Sequence, residues 1–242
     1  MCGRYAVAKE SNELLTIFDV DRAGDDLPGA NFNIAPTTTV PIVVETTDDD
    51  GTLVTRLEAA RWGLVPSWAK DPSAGSRMFN ARIESAADKP SFRQAVRKRR
   101  AIVPATGYYE WRTSAAGKQP YFIQPEDGAL FSVAALYEWW RNPAAADDDP
   151  ARWLLSTSIM TRPSAGALAD IHDRMPVMLS EDVARTWIDP STSGDASLLD
   201  RVLDASGAVA SATAFHPVSK AVGNVANTGR ELMDAIPEPD DR

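Results

Sequence analysis

AIVPATGYYEWRTSAAGKQPYFIQPEDGALFSVAALYEWW, residues 101–140, is the stretch that decides the fold. Runs rich in β-branched and aromatic residues occupy 101–103, 107–112, 120–124 and 130–140. Short Gly-, Pro- and Ser-containing breaks separate them, the pattern of consecutive strands joined by tight turns. Upstream, residues 40–45 and 53–64 flank the Asp-rich turn at 48–51 and read as a hairpin. Downstream, 153–159 is another strand, and 171–179 returns as loop and strand. Helical patterns are short: 11–20, 90–100, 163–169, 180–187 and 198–203. The stretch from His216 to Asn227 reads as loop. Many short strands with few helices give an α+β domain with a mainly antiparallel, barrel-like core flanked by short helices. Residues 2–233 are expected to form that single domain, and 234–242 an acidic, flexible tail.

The totals narrow the function classes. The chain has 242 residues, enough to bury a sizeable core. No apolar run reaches the ~20 residues of a membrane span, and no basic-then-apolar leader opens the sequence. One cysteine allows no internal disulfide, so a reducing cytoplasm is the expected compartment. The net charge of −9 argues against a nucleic-acid partner. Its make-up tempers that: 23 Asp against 11 Glu and 19 Arg against 6 Lys describe a surface suited to high salt. Long-range attraction to phosphate would then be screened, leaving local Arg contacts and stacking to hold a strand.

The single cysteine is Cys2. Its small side chain favours removal of Met1, which would leave an α-amine and a thiol on adjacent carbons. Reference pKa values of about 7.7–8.0 and 8.5 keep both partly deprotonated near neutrality. The amine can form a Schiff base with an aldehyde, and the neighbouring thiol can add to that imine and close a five-membered ring. Gly3 permits close approach, and Arg4 offers a cation suited to phosphate. The plain alternative is a small buried hydrophobe at an uneventful terminus.

Other candidates stand in apolar or Gly/Pro-rich settings. Glu110, in Gly107-Tyr108-Tyr109-Glu110-Trp111, should have a raised pKa and act as a general acid/base; the alternative is an exposed strand carboxylate. Asn80, in Phe79-Asn80-Ala81-Arg82, could hold an amine or a carbonyl oxygen, or simply form an Asx-turn. His172, between Ile171 and Asp173, suits proton transfer, with a structural histidine as its alternative; His216 reads as structural. Trp62, Trp68, Arg61, Arg77 and Arg82 cluster as possible stacking and phosphate contacts, Trp62 being better suited to the core. One Cys and two distant His make no zinc site, and no metal or cofactor is expected.

Taken together, seven motifs resemble the SOS-response-associated peptidase (SRAP) family, the abasic-site processing proteins. They are Met1-Cys2-Gly3-Arg4-Tyr5, Asn33-Ile34-Ala35-Pro36, Trp62-Gly63-Leu64-Val65-Pro66, Asn80-Ala81-Arg82-Ile83-Glu84, Gly107-Tyr108-Tyr109-Glu110-Trp111, Ile171-His172-Asp173-Arg174-Met175-Pro176 and His216-Pro217-Val218-Ser219. The resemblance implies one α+β domain with a basic groove for single-stranded DNA and ss/ds junctions carrying abasic sites. It implies that Cys2 forms a thiazolidine crosslink with the opened sugar, that Asn80 positions the α-amine, that Glu110 is the acid/base and that His172 assists ring opening. Arg4, Pro36, Trp68, Arg82 and Thr157 match DNA-lining positions. The peptidase label corresponds to removal of residues ahead of the cysteine, with lyase chemistry as a further expectation. Ala69 stands where some members carry a second Trp, and Lys89 lies beside the position of a basic residue. A monomer is expected. The rival functions are a cysteine peptidase acting on other proteins and a non-catalytic single-strand binder.

Overall fold

The computed structural model describes residues 2–115 and 117–238. The chain begins with β1 (Tyr5–Val7), α1 (Ser11–Ile17), β2 (Arg22–Ala23) and β3 (Asn31–Ile34), then the hairpin of β4 (Thr39–Thr47) and β5 (Leu53–Trp62). A loop with a 3-10 turn leads to β6 (Asn80–Arg82), α2 (Ile83–Ala86) and α3 (Arg93–Lys98). The run quoted above becomes β7 (Arg100–Ala105), β8 (Gly107–Ser114), β9 (Gly117–Pro125) and β10 (Phe131–Arg141). It is followed by β11 (Trp153–Pro163), β12 (Arg174–Pro176), β13 (Met178–Leu179), α4 (Glu181–Ile188), α5 (Ala196–Ser211) and β14 (Thr213–Pro217).

Strands β5, β4, β7, β10 and β11 bond in that order, and β11 returns to β5. The sheet thereby closes into a five-stranded barrel and leaves no open edge among these strands. Its closing seam is parallel, with Ser156 opposite Arg61 and Thr157 opposite Trp62. The other barrel neighbours are antiparallel. A second, antiparallel sheet runs β14-β9-β8-β1-β3. Trp62, Trp187, Tyr5 and Leu57 are fully buried in the main core. The mainly antiparallel barrel with helices on its outside is the α+β architecture expected from the strand pattern.

One buried cation organises the helical side. Arg100 is 3% exposed, and its guanidinium donates only to main-chain carbonyls: Trp187, Val96, Arg97, Asp189 and Thr192. Those carbonyls include the last turns of α3 and α4, where a cation meets the negative end of the helix. The basic run at 97–100 therefore splits in the fold. Arg97 and Lys98 stay exposed, Arg99 pairs with Glu138 at 2.7 Å, and Arg100 turns inward.

Several local expectations shift. The first helix stops at Ile17, because Asp19 adopts φ 48°, outside helical space. The helix expected over 198–203 extends to Ala196–Ser211, with the Asp195 side chain accepting from the Leu198 amide. His216 belongs to β14, not to a loop: it pairs with Phe122 of β9. The tail is anchored where it leaves the domain. Ala235 bridges to Val218, and Glu238 accepts from the Tyr121 hydroxyl and from Arg112. Residues 239–242, the rest of the expected loose tail, lie outside the described residues, as does Met1.

Candidate active site

β1 pairs antiparallel with β8, Tyr5 opposite Tyr108 and Ala6 opposite Gly107. The Tyr109 amide donates to the Arg4 carbonyl at 2.9 Å and carries the register toward the terminus. That register lays the residues before Tyr5 alongside Glu110. Gly107 has to be glycine, since a Cβ there would stand 2.5 Å from the Ile123 carbonyl oxygen and 2.4 Å from the Phe122 ring.

β6 pairs with β11 next to the closing seam, Asn80 opposite Ile159. From there the Asn80 Nδ2 donates to the Cys2 carbonyl at 2.7 Å. The Asn80 Oδ1 is buried and has no hydrogen-bond partner among the described residues. Behind this contact Tyr5, Trp62 and Phe79 stack edge to face, with centroids 5.0 and 5.9 Å apart. The Trp62 Nε1 donates to the Phe79 carbonyl at 2.8 Å, so Trp62 is the core residue its strand position suggested.

Cys2 is 1% exposed. Burial, followed by the nearby Glu110 charge, pushes its thiol well above the ordinary range. The partly ionised thiol expected from reference values is therefore absent from this buried state: low dielectric favours the neutral form. Glu110 is 4% exposed, and burial raises its carboxyl to about 7. A carboxyl poised there can both give and take a proton at neutral pH.

His172 faces it, Nε2 4.0 Å from Glu110 Oε2. Two contacts compete for its Nδ1. The Arg174 amide donates to it at 3.0 Å, and Asp173 Oδ1 stands 2.9 Å away. The first needs a bare nitrogen and the second a protonated one. Asp173 is solvent-exposed, and burial lowers the imidazole pKa, so the neutral ring with its proton on Nε2, toward Glu110, is favoured.

The His172 loop is held by a contact that the sequence reading missed. Arg174 forks onto both Glu84 oxygens at 2.7 and 3.1 Å, and its Nη2 also reaches the Thr161 carbonyl at 2.7 Å. Burial alone would raise the Glu84 carboxyl, but the Arg174 fork offsets it and leaves the pKa lowered. The pair ties the Asn80 motif to the His172 motif. Both residues stand inside those motifs, and their opposite charges were the available signal.

Other expected contacts divide. Trp68 is 63% exposed, and Arg77 and Arg82 are exposed without an ion pair among the described residues. Pro36 is half-buried beside Thr37, which takes φ 78° and donates its amide to the Trp62 carbonyl at 2.7 Å. Thr157 does not line a surface: it is 0% exposed, and its hydroxyl donates to the Leu136 carbonyl. Arg4 is not a free cation. Its Nη1 donates to Asn33 Oδ1 at 2.8 Å and to the Val222 carbonyl at 2.9 Å. Asn33 in turn donates to the Asn224 and Asn227 carbonyls, so the two residues hold the 222–227 loop. His216 is structural, with Nε2 2.8 Å from the Met233 carbonyl. No group of three His, Cys, Asp or Glu able to hold a metal occurs among the described residues.

Known proteins resemble the chain in sequence and in fold. Residues 1–225 match the model of the SOS response associated peptidase (SRAP) family. The chain is 34% identical over 241 residues to the abasic site processing protein YoaM of Bacillus subtilis, covering 97% of this chain and 98% of that one. It is also 34% identical over 241 residues to the abasic site processing protein YedK of Escherichia coli, covering 98% and 100%. A crystal structure of a Bacteroides thetaiotaomicron protein superposes with a TM-score of 0.78 at 22% identity, over 97% of this chain and all of that one, and shares the fold. With a family match from the first residue into the loop that Arg4 and Asn33 hold, and full-length relatives at this identity, the chain belongs to the SOS response associated peptidase (SRAP) family.

Proposed function

We propose that the protein captures abasic sites in single-stranded DNA, as covalent adducts of Cys2 exposed as the N-terminal residue. The observation that carries this reading is the Asn80 amide on the Cys2 carbonyl at 2.7 Å, beside a buried carboxyl with a pKa of about 7. The relatives' name, abasic site processing protein, supplies the aldehyde.

The chemistry proceeds in balanced steps. The Cys2 α-amine attacks C1′ of the opened sugar, forming a C–N bond, and the aldehyde oxygen takes up a proton. Protonated Glu110 delivers a proton to the resulting hydroxyl, which leaves as water as the nitrogen lone pair forms the iminium, and the iminium N–H proton returns to the Glu110 carboxylate to leave the imine. The Cys2 Sγ then adds to the imine carbon, while the thiol proton passes to nitrogen. The net change is one thiazolidine formed and one water released. A thiol kept neutral by burial favours amine-first order, because the thiol reacts only with the electrophile that the amine has made. Neutral His172, with Nε2–H toward Glu110, steadies the carboxylate once its proton is gone. Exposed Trp68, Arg77 and Arg82 are the proposed strand contacts.

The test is the intact mass of the protein after incubation with a single-stranded oligonucleotide bearing one abasic site, without borohydride. The des-Met protein plus oligonucleotide minus one water supports the reading. A des-Met protein with no adduct across a range of salt concentrations overturns it.

A further inference from the structure

The chain is acidic, yet its cations are not spread evenly. Residues 77–98 carry six Lys or Arg against two carboxylates, Glu84 and Asp88, in a chain of net charge −9. Glu84 is already committed to Arg174. Three of the cations, Arg93, Arg97 and Lys98, belong to α3, and none of them makes an ion pair among the described residues. Arg93 and Arg97 are four apart, so they share one side of the helix.

Beside them lies a groove of about 810 Å³, whose other wall is the 190–195 loop. It is preformed. The Arg100 guanidinium holds the Val96 and Arg97 carbonyls of one wall and the Asp189 and Thr192 carbonyls of the other. Gly194 sits so tightly on α3 that a Cβ there would lie 1.8 Å from the Val96 oxygen. Asp88 and Asp195 also line the groove, but the Asp195 carboxylate is engaged by the Leu198 amide. A rigid cleft lined by guanidinium and ammonium groups without an ion pair among the described residues, with the exposed Ser193 opposite, fits a chain of phosphates better than an apolar ligand.

We propose that the groove between α3 and the 190–195 loop is a second nucleic-acid contact, gripping backbone phosphates of DNA that extends beyond the Cys2 site. This rests on the reading of the protein as DNA-binding. It adds a separate site, lined by none of Cys2, Asn80, Glu110 and His172. The site acts on affinity and its salt dependence, leaving the chemistry at Cys2 alone.

The test uses the full chain and the double variant Arg93→Gln/Arg97→Gln, both exposed positions, with the main-chain bond from Arg97 to Arg100 retained. Binding is measured by fluorescence anisotropy against salt, with a long oligonucleotide carrying a central abasic analogue and duplex on one side, and with a short single strand centred on the analogue. For the long DNA, the slope of log affinity against log salt should be shallower in the variant by about 2. That corresponds to roughly tenfold less affinity lost between 50 and 200 mM salt. The short strand should bind both proteins alike, and crosslinking at saturating DNA should be unchanged. An unchanged slope on the long DNA, or an equal loss on both lengths, overturns the second contact and leaves the function standing. A wild-type protein that binds neither oligonucleotide overturns both. Lys98→Gln alone should lower the slope by about 1, which checks the result if the double variant proves unstable.

Discussion

The Asn80 side chain reaches across from β6 to donate to the Cys2 carbonyl at 2.7 Å, and its Oδ1 is left buried without a partner among the described residues. One half of the amide thus fixes the main chain of the candidate nucleophile. The other half is an acceptor placed where an incoming or newly formed donor, such as an ammonium, would satisfy it. Asn80→Ala should slow adduct formation by about five- to tenfold, the loss of roughly one hydrogen bond. Single-turnover rates at saturating DNA are the readout. An unchanged rate would mean that Asn80 serves the fold alone.

Glu110→Gln should cut imine formation by about 10²–10⁴-fold, the range for a lost general acid/base. In the wild-type protein the rate should fall as pH rises through about 7, because the carboxyl then loses the proton it donates. A flat profile across that value, measured by single-turnover crosslinking, would remove Glu110 from the proton-transfer step.

The same carboxyl makes a stability prediction. The unfolded chain releases its proton near 4.5 and the folded chain holds it to about 7. Between those values the fold binds more protons, so stability declines as pH rises through the window. A shift of this size corresponds to on the order of 3 kcal/mol. Glu110→Gln removes the burden, and its Tm at pH 8 should exceed that of the wild type by several degrees, with the gap closing toward pH 4. Calorimetry at both pH values checks this, and a variant less stable at pH 8 would contradict it.

Arg100→Ala should be severely destabilising. It strips donors from five buried or part-buried carbonyls at the ends of α3 and α4 and in the loop after α4. Unsatisfied groups of this kind cost about 1–3 kcal/mol each, so a total of several kcal/mol is expected even after water repairs some of them. For a chain of this length, that is a fall in Tm of roughly 10 °C or more. A small change would mean that the helix ends find other donors.

Trp68→Ala should leave Tm within a degree or two, because the ring is 63% exposed. Binding of single-stranded DNA should weaken by about 1–3 kcal/mol, the contribution of one base–aromatic stack. Anisotropy and a melting curve on the same sample separate the two effects.

Much of the architecture was legible because strand runs and turn residues are local signals. The four runs in 101–140 and the 48–51 hairpin appear close to where they were expected. The short pieces β1, β6 and β14 were not legible. Each depends on a partner far along the chain: Tyr5 on Tyr108, Asn80 on Ile159, His216 on Phe122. The candidate site shows the same division. Cys2, Asn80, Glu110 and His172 stood out by chemistry, and the fold brings them together. Charge could not distinguish Arg4, which holds a loop, or Arg100, which is buried, from Arg77 and Arg82, which face solvent. Thr157 was expected at the DNA only from the family resemblance, and its burial could not be foreseen because sequence does not reveal which side of a barrel strand faces inward.

The parallel seam between β5 and β11 has a consequence for biosynthesis. Its partners, Trp62 and Thr157, lie 95 positions apart. At about 5–20 residues per second, a ribosome needs roughly 5 to 20 seconds to make that intervening stretch. Throughout that interval the nascent amino end has no barrel to enter and stays open to a processing enzyme. Late closure would therefore reconcile trimming ahead of Cys2, which the proposed chemistry requires, with a finished protein in which Cys2 is almost entirely hidden.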